Sequence, residues 1–119
     1  MANPFVHVEL HTDDPSKAKK FYQSLFEWKL EDSPGMDYTM IGVGEGTGGG
    51  IMKNPVPGLP SHWLAYVFVE DVTALTNRAT SLGAKIINDI TEIPGYGSFS
   101  IIADPTGASI GLWQPKEMK

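Results

Sequence analysis

The sequence predicts an α+β fold made of two tandem βαβββ modules, and three observations predict it. Phe5 to His11 alternates between two unlike faces, as a half-buried strand does. Ala18, Phe21, Tyr22, Leu25 and Phe26 follow at helical spacing. The second half then repeats the first: a shift of 57 residues lays Asp14 on Asp71, Leu25 on Leu82 and His7 on Leu64, and a shift of 61 lays Gly50-Ile51 on Gly111-Leu112. Neither half, at about 50 residues, is expected to bury enough core to stand alone. The two sheets are therefore expected to join as one curved mixed sheet, with helices outside and a cleft inside.

In the first strand, Val6, Val8 and Leu10 face one way and His7, Glu9 and His11 the other. Asp13-Asp14-Pro15-Ser16 reads as a helix start, with an Asp cap and a proline in the first turn. Short strands are expected at 28–31, 38–43 and 49–52, separated by Ser33-Pro34-Gly35 and Gly44 to Gly48. Three prolines, at 55, 57 and 60, stiffen the next segment into a linker. The second module opens with a strand over 62–69, then a helix capped by Asp71, striped by Val72, Leu75, Ala79 and Leu82, and ended by Gly83. Strands at 85–87, 99–103 and 109–113 complete it, with a turn at Asp104-Pro105-Thr106-Gly107. The whole chain, 1–119, reads as a single domain with module one at 3–53, linker 54–60 and module two at 61–115.

Composition narrows the function. Nine basic against fourteen acidic residues give a net charge of −5, which disfavours nucleic acid as a partner. With no cysteine there is no disulfide, thiolate metal site or thiol catalysis. The longest apolar run, Trp63 to Val69, is far short of the roughly 20 residues that span a bilayer. No membrane partner is expected, and the N-terminus has no signal-peptide pattern. A cytoplasmic domain is the expectation.

Three tempting motifs fail on context. Gly44-Glu45-Gly46-Thr47-Gly48-Gly49 fits a dinucleotide loop, but no helix can follow it. Gly107-Ala108-Ser109-Ile110-Gly111 fits a nucleophile elbow, but no helix or histidine comes after it. The acidic pairs Asp13-Asp14, Glu31-Asp32 and Glu70-Asp71 sit at caps and a turn, which accounts for them without glycosidase chemistry.

A further set of residues keeps a specific order: Val6-His7-Val8-Glu9-Leu10 leading to Asp14 and Phe21-Tyr22, Phe26-Glu27-Trp28, Gly48-Gly49-Gly50-Ile51, Val67 to Val72, Asp104-Pro105-Thr106-Gly107 and Leu112-Trp113. In these the chain resembles, from residue 5 to about 115, the vicinal oxygen chelate superfamily of glyoxalase I, extradiol dioxygenases and bleomycin-resistance proteins. The resemblance implies the paired βαβββ fold. In metal-using members it also implies one ligand on the first and one on the last strand of each module. Carried over by position, these are His7, Gly50, Leu64 and Gly111, of which only His7 is a ligand type. A lone His cannot chelate, since catalytic zinc has about three protein ligands.

No cofactor is therefore expected. The implied function is binding of a small, partly apolar molecule in the cleft between the modules, as bleomycin-resistance proteins do. The candidate ligand-binding residues are His7, Glu9, Gly50, His62, Leu64, Tyr66, Gly111 and Trp113, with Trp63 as a further candidate for the apolar wall and Trp28 assigned to the core. Glycine at 50 and 111 is expected to open volume at the cleft floor. The alternative is an enzyme: a glyoxalase I-like lyase or isomerase or a dioxygenase, with nickel, zinc or iron at a relocated site of His7, Glu9 and His62, or a metal-free enzyme with His7 as base and Glu9 orienting it. Many superfamily members are dimers, so a homodimer is expected by resemblance. The ligand's identity depends on loops such as Thr91 to Gly97, whose course the sequence places poorly.

Overall fold

A computed structural model describes residues 2–35, 37–55 and 58–116. Its elements are β1 (Phe5–Thr12), α1 (Pro15–Leu25), β2 (Lys29–Asp32), β3 (Tyr38–Gly42), β4 (Gly49–Lys53), β5 (His62–Phe68), α2 (Val72–Ser81), β6 (Lys85–Ile93), β7 (Gly97–Ala103) and β8 (Ser109–Pro115). The order is βαβββ twice, as the internal repeat predicts. The chain forms two compact units: His7–Leu64, and Ala65–Lys119 together with Met1–Val6. The first residues group with the second half for a local reason: Asn3 Nδ2 donates to the Phe68 carbonyl, and the Phe68 N–H donates to the Pro4 carbonyl, both at 2.9 Å. Of the expected linker over 54–60, Val56 and Pro57 lie outside the described residues.

In the first unit, β2 pairs antiparallel with β3 and β3 with β4, while β1 runs parallel to β4. Leu10 and its register partner Ile51 form the core with Ile41. Ala18 and Tyr22 pack on it from α1, and Trp28, Leu30 and Val43 from the sheet side. The Asp14 side chain caps α1 by accepting the Lys17 N–H at 3.0 Å. The predicted apolar stripe is only partly used: Phe21, Leu25 and Phe26 are exposed at 58%, 57% and 44%. The i, i+4 row of Ala18 and Tyr22 meets the sheet, and the neighbouring row lies to one side of it. Because the first strand has period two, burying Leu10 on the helix side sends His7, Glu9 and His11 to the other face.

The second unit repeats this plan. β5 runs parallel to β8, and β8, β7 and β6 follow antiparallel. Val69, Val72, Ile102 and Leu112 make its core. Asp71 caps α2 through the Ala74 N–H, and Gly83, at φ +104°, ends it. The expected strand over 85–87 runs on to Ile93, with Glu92 opposite Ser98 and Ile93 opposite Gly97, so the expected loop shrinks to a tight turn over 94–96. Register shifts between Ile86 and Thr91 interrupt the alternation, which is why the strand is illegible there. Among the described residues no helix is long and apolar enough to cross a membrane.

Two predictions follow from the caps and turns. Asp14→Ala is expected to cost about 1 kcal/mol in urea unfolding, and an unchanged midpoint would contradict the cap. Asp104 is held below its ordinary value of 3.8 by the Thr106 hydroxyl first, then by the Ala108 and Thr106 N–H groups. Asp32 is likewise lowered by the Thr39 hydroxyl first and then by Lys19. Their stabilisation is complete above 3.8 and is lost as pH falls through the lower folded values. Asp32→Asn/Asp104→Asn should therefore flatten the acid limb of a stability-against-pH curve, whereas an equally steep limb would rule this out.

Candidate functional site

The polar face of the first unit is organised around one buried carboxylate. Glu9 is only 7% exposed, a costly place for an anion unless both oxygens are satisfied. Tyr38, at the start of β3, donates its hydroxyl to Glu9 Oε2 at 2.6 Å. His11, two residues along β1 and almost fully buried, donates Nε2–H to Oε1 at 2.7 Å. The single hydrogen of the Tyr38 hydroxyl goes to Glu9, so the contact with His7 Nε2 at 2.6 Å uses the His7 N–H as donor. His7 also stands 3.6 Å from Glu9 Oε2, and its side chain is 26% exposed. A chain of short hydrogen bonds thus runs from half-exposed His7 through Tyr38 and Glu9 to buried His11.

Gly50 lies beside this network for a steric reason. It pairs with Glu9 in the parallel ladder and with Met40 in the antiparallel one. Tyr38, two residues before Met40, is on the same face, and its ring lies against Gly50 so closely that a Cβ there would overlap it. The volume expected at the missing side chain is therefore filled by Tyr38. In the second unit, Gly111 pairs with Tyr66, whose ring fills the corresponding space. Tyr66 is 5% exposed and meets Phe99 edge to face at 6.2 Å, and Trp113 lies further along β8 on the Gly111 face.

The other candidates separate. Leu64 is 2% exposed. His62 donates Nδ1–H to the Pro60 carbonyl at 2.9 Å and sets its ring edge-on to His11 at 5.2 Å. The ring thus meets Pro60 and His11, whereas the relocated metal site needs it beside His7 and Glu9. Trp63, the further candidate for the apolar wall of the cleft, stands on the helix face against Tyr22 and Trp28, because alternation turns it away from His62 and Leu64. Trp28 packs into the core. Among the described residues no group of three or more His, Cys, Asp or Glu is placed to hold a metal ion. The positions to which the resemblance carries the chelate are His7, Gly50, Leu64 and Gly111, and glycine and leucine supply no side-chain donor. These residues do not fit the ion.

The alternation of the first strand puts His11 on the face of His7 and Glu9, but nothing read from the sequence singles out Tyr38. The signal for Tyr38 was available: a glycine inside a strand marks a close approach, and the residue on the neighbouring strand's same face is the one that approaches.

With this geometry, the chain belongs to the Glyoxalase/Bleomycin resistance protein/Dioxygenase superfamily, whose sequence profile matches residues 5–112. It is 34% identical over 110 residues to a Mycobacterium tuberculosis protein named as a glyoxylase, CFP32, covering 90% of this chain and 42% of that one. It is 23% identical over 128 residues to the anthracycline biosynthesis protein DnrV of Streptomyces peucetius, covering 93% and 46% respectively. The chain thus spans less than half the length of these curated relatives. Methylmalonyl-CoA epimerase from M. tuberculosis has the same fold, with a TM-score of 0.67, 16% identity, and coverage of 95% of this chain and 88% of that one.

The glycine–tyrosine contact makes two expectations measurable. Tyr38→Phe removes one donor from a buried carboxylate and should cost about 1–3 kcal/mol in chemical denaturation. Gly50→Ala forces the ring aside and should cost a similar amount, about 1–3 kcal/mol, through overpacking. If Gly50→Ala is neutral, the Tyr38 ring does not lie against Gly50.

Proposed function

We propose that this chain binds a small, partly apolar organic molecule without a metal, at the face of the first unit that carries His7, Glu9, Gly50, His62 and Leu64. The observation that carries the reading is the Tyr38 hydroxyl bridging His7 and Glu9 over Gly50. It fixes a polar anchor where metal-using relatives place a ligand. Half-exposed His7 is the group that meets a ligand first, and Glu9 and Tyr38 keep it oriented. In the second unit, Tyr66, Gly111 and Trp113 belong to an aromatic wall that we take as an apolar contact surface for the same ligand class. The name of DnrV, an anthracycline biosynthesis protein, supports a polycyclic organic ligand.

The glyoxylase name carried by the 34% identical relative supports the catalytic alternative. That alternative needs either a recruited ion or His7 acting as a base. The homodimer and a cytoplasmic location also belong to this proposal. Exposed Phe21 and Leu25 on α1 support self-association, and sedimentation should give twice 12.9 kDa.

Two measurements separate the readings. Calorimetry with nickel, zinc and ferrous iron should show no stoichiometric binding. Thermal shifts with daunorubicin and with bleomycin as probes should show saturable stabilisation by at least one of them, reaching about 2.7 kcal/mol at 100 times Kd, and weakened by His7→Ala. Micromolar binding of one of the metals, abolished by His7→Ala, would instead restore the chelate enzyme.

A further inference from the structure

The helix-side face of β1 opens onto a cavity that the polar site does not use. Val8 points away from His7 and Glu9. With Ile41, Val43, Thr47, Trp28 and Trp63 it lines a space of about 240 Å³. Two of the chain's three tryptophans are here. Their rings meet edge to face at 6.3 Å and 80°. Tyr22 touches both, at 5.6 Å from Trp28 and 5.5 Å from Trp63, so core packing holds the two walls in place before anything binds. Trp63 nevertheless remains 40% exposed. None of the lining side chains carries a charge, and they offer water only the Thr47 hydroxyl and two indole N–H groups. An apolar cavity on the order of 150 Å³ stays dry and takes up benzene. This one shares the apolar kind of lining and opens to solvent at exposed Trp63.

We propose that this cavity is a second binding site, independent of the polar face, for a neutral, planar, apolar molecule of about one aromatic ring. An inserted ring can stack on one indole and meet the edge of the other, the two arrangements aromatic pairs favour. A charged ligand would lose its hydration with no partner to replace it.

The test uses the whole chain carrying 5-fluorotryptophan, with toluene as the probe and 19F NMR as the readout. The Trp28 and Trp63 resonances should move saturably while that of Trp113 stays still. Benzoate should bind at least tenfold more weakly than toluene. Val43→Phe and, separately, Val8→Phe fill the cavity and should each weaken toluene binding at least tenfold. The thermal midpoint shows which of the two remains folded, and the folded one decides. The proposal is overturned if Trp28 and Trp63 do not move up to the solubility limit of toluene, if Trp113 moves with them, if benzoate binds as well as toluene, or if a folded, filled variant binds toluene as the parent does.

Discussion

A carboxylate taken out of water has to be matched oxygen by oxygen, and Glu9 imposes that demand on the first unit. Oε1 is met by His11 from the same strand, and Oε2 by Tyr38 from β3. The second match is possible only because Gly50, between those strands, has no side chain: the phenol ring crosses the space a Cβ would take. Glu9, Tyr38 and Gly50 are therefore one device, and changing any of them disturbs the other two. His7 is oriented by the same hydroxyl. In the function proposed above, this arrangement is what the polar face offers to a ligand.

The repeat shows how one scaffold can carry two different solutions. By the sequence shifts and ladder partners, Glu9, Tyr38 and Gly50 correspond to Tyr66, Phe99 and Gly111. In both units a tyrosine ring covers the last-strand glycine, but it comes from β3 in the first and from β5 in the second. The first unit thus keeps an ionisable group and its hydrogen bonds, while the second is aromatic at the same places. Side-chain exchange at a few ladder positions changes the chemistry while the backbone pairing persists, which is how one fold serves unrelated functions.

Much of the architecture was legible because it follows from period and punctuation. The alternation over Phe5 to His11, the caps at Asp14 and Asp71 and the stop at Gly83 each have a local physical cause, and the structure contains all of them. The length of β6 was not legible, because register shifts around Asn88 break the alternation that marks a strand. At the site, the shared face of His7, Glu9 and His11 followed from strand geometry alone. The filling of the glycine positions did not, because it depends on a ring reaching across from a neighbouring strand, and a residue list does not fix strand pairing. The place of Trp63 is illegible for the same reason: its neighbours in sequence are on the polar face, and its neighbours in space are Tyr22 and Trp28.

The most direct test is a crystal grown in excess nickel or zinc, with diffraction recorded at the metal's absorption edge. The Tyr38 ring should lie against Gly50, with its hydroxyl between His7 and Glu9 and no anomalous peak beside them. A full-occupancy metal peak bonded to His7 and Glu9, with Tyr38 turned away, would contradict it.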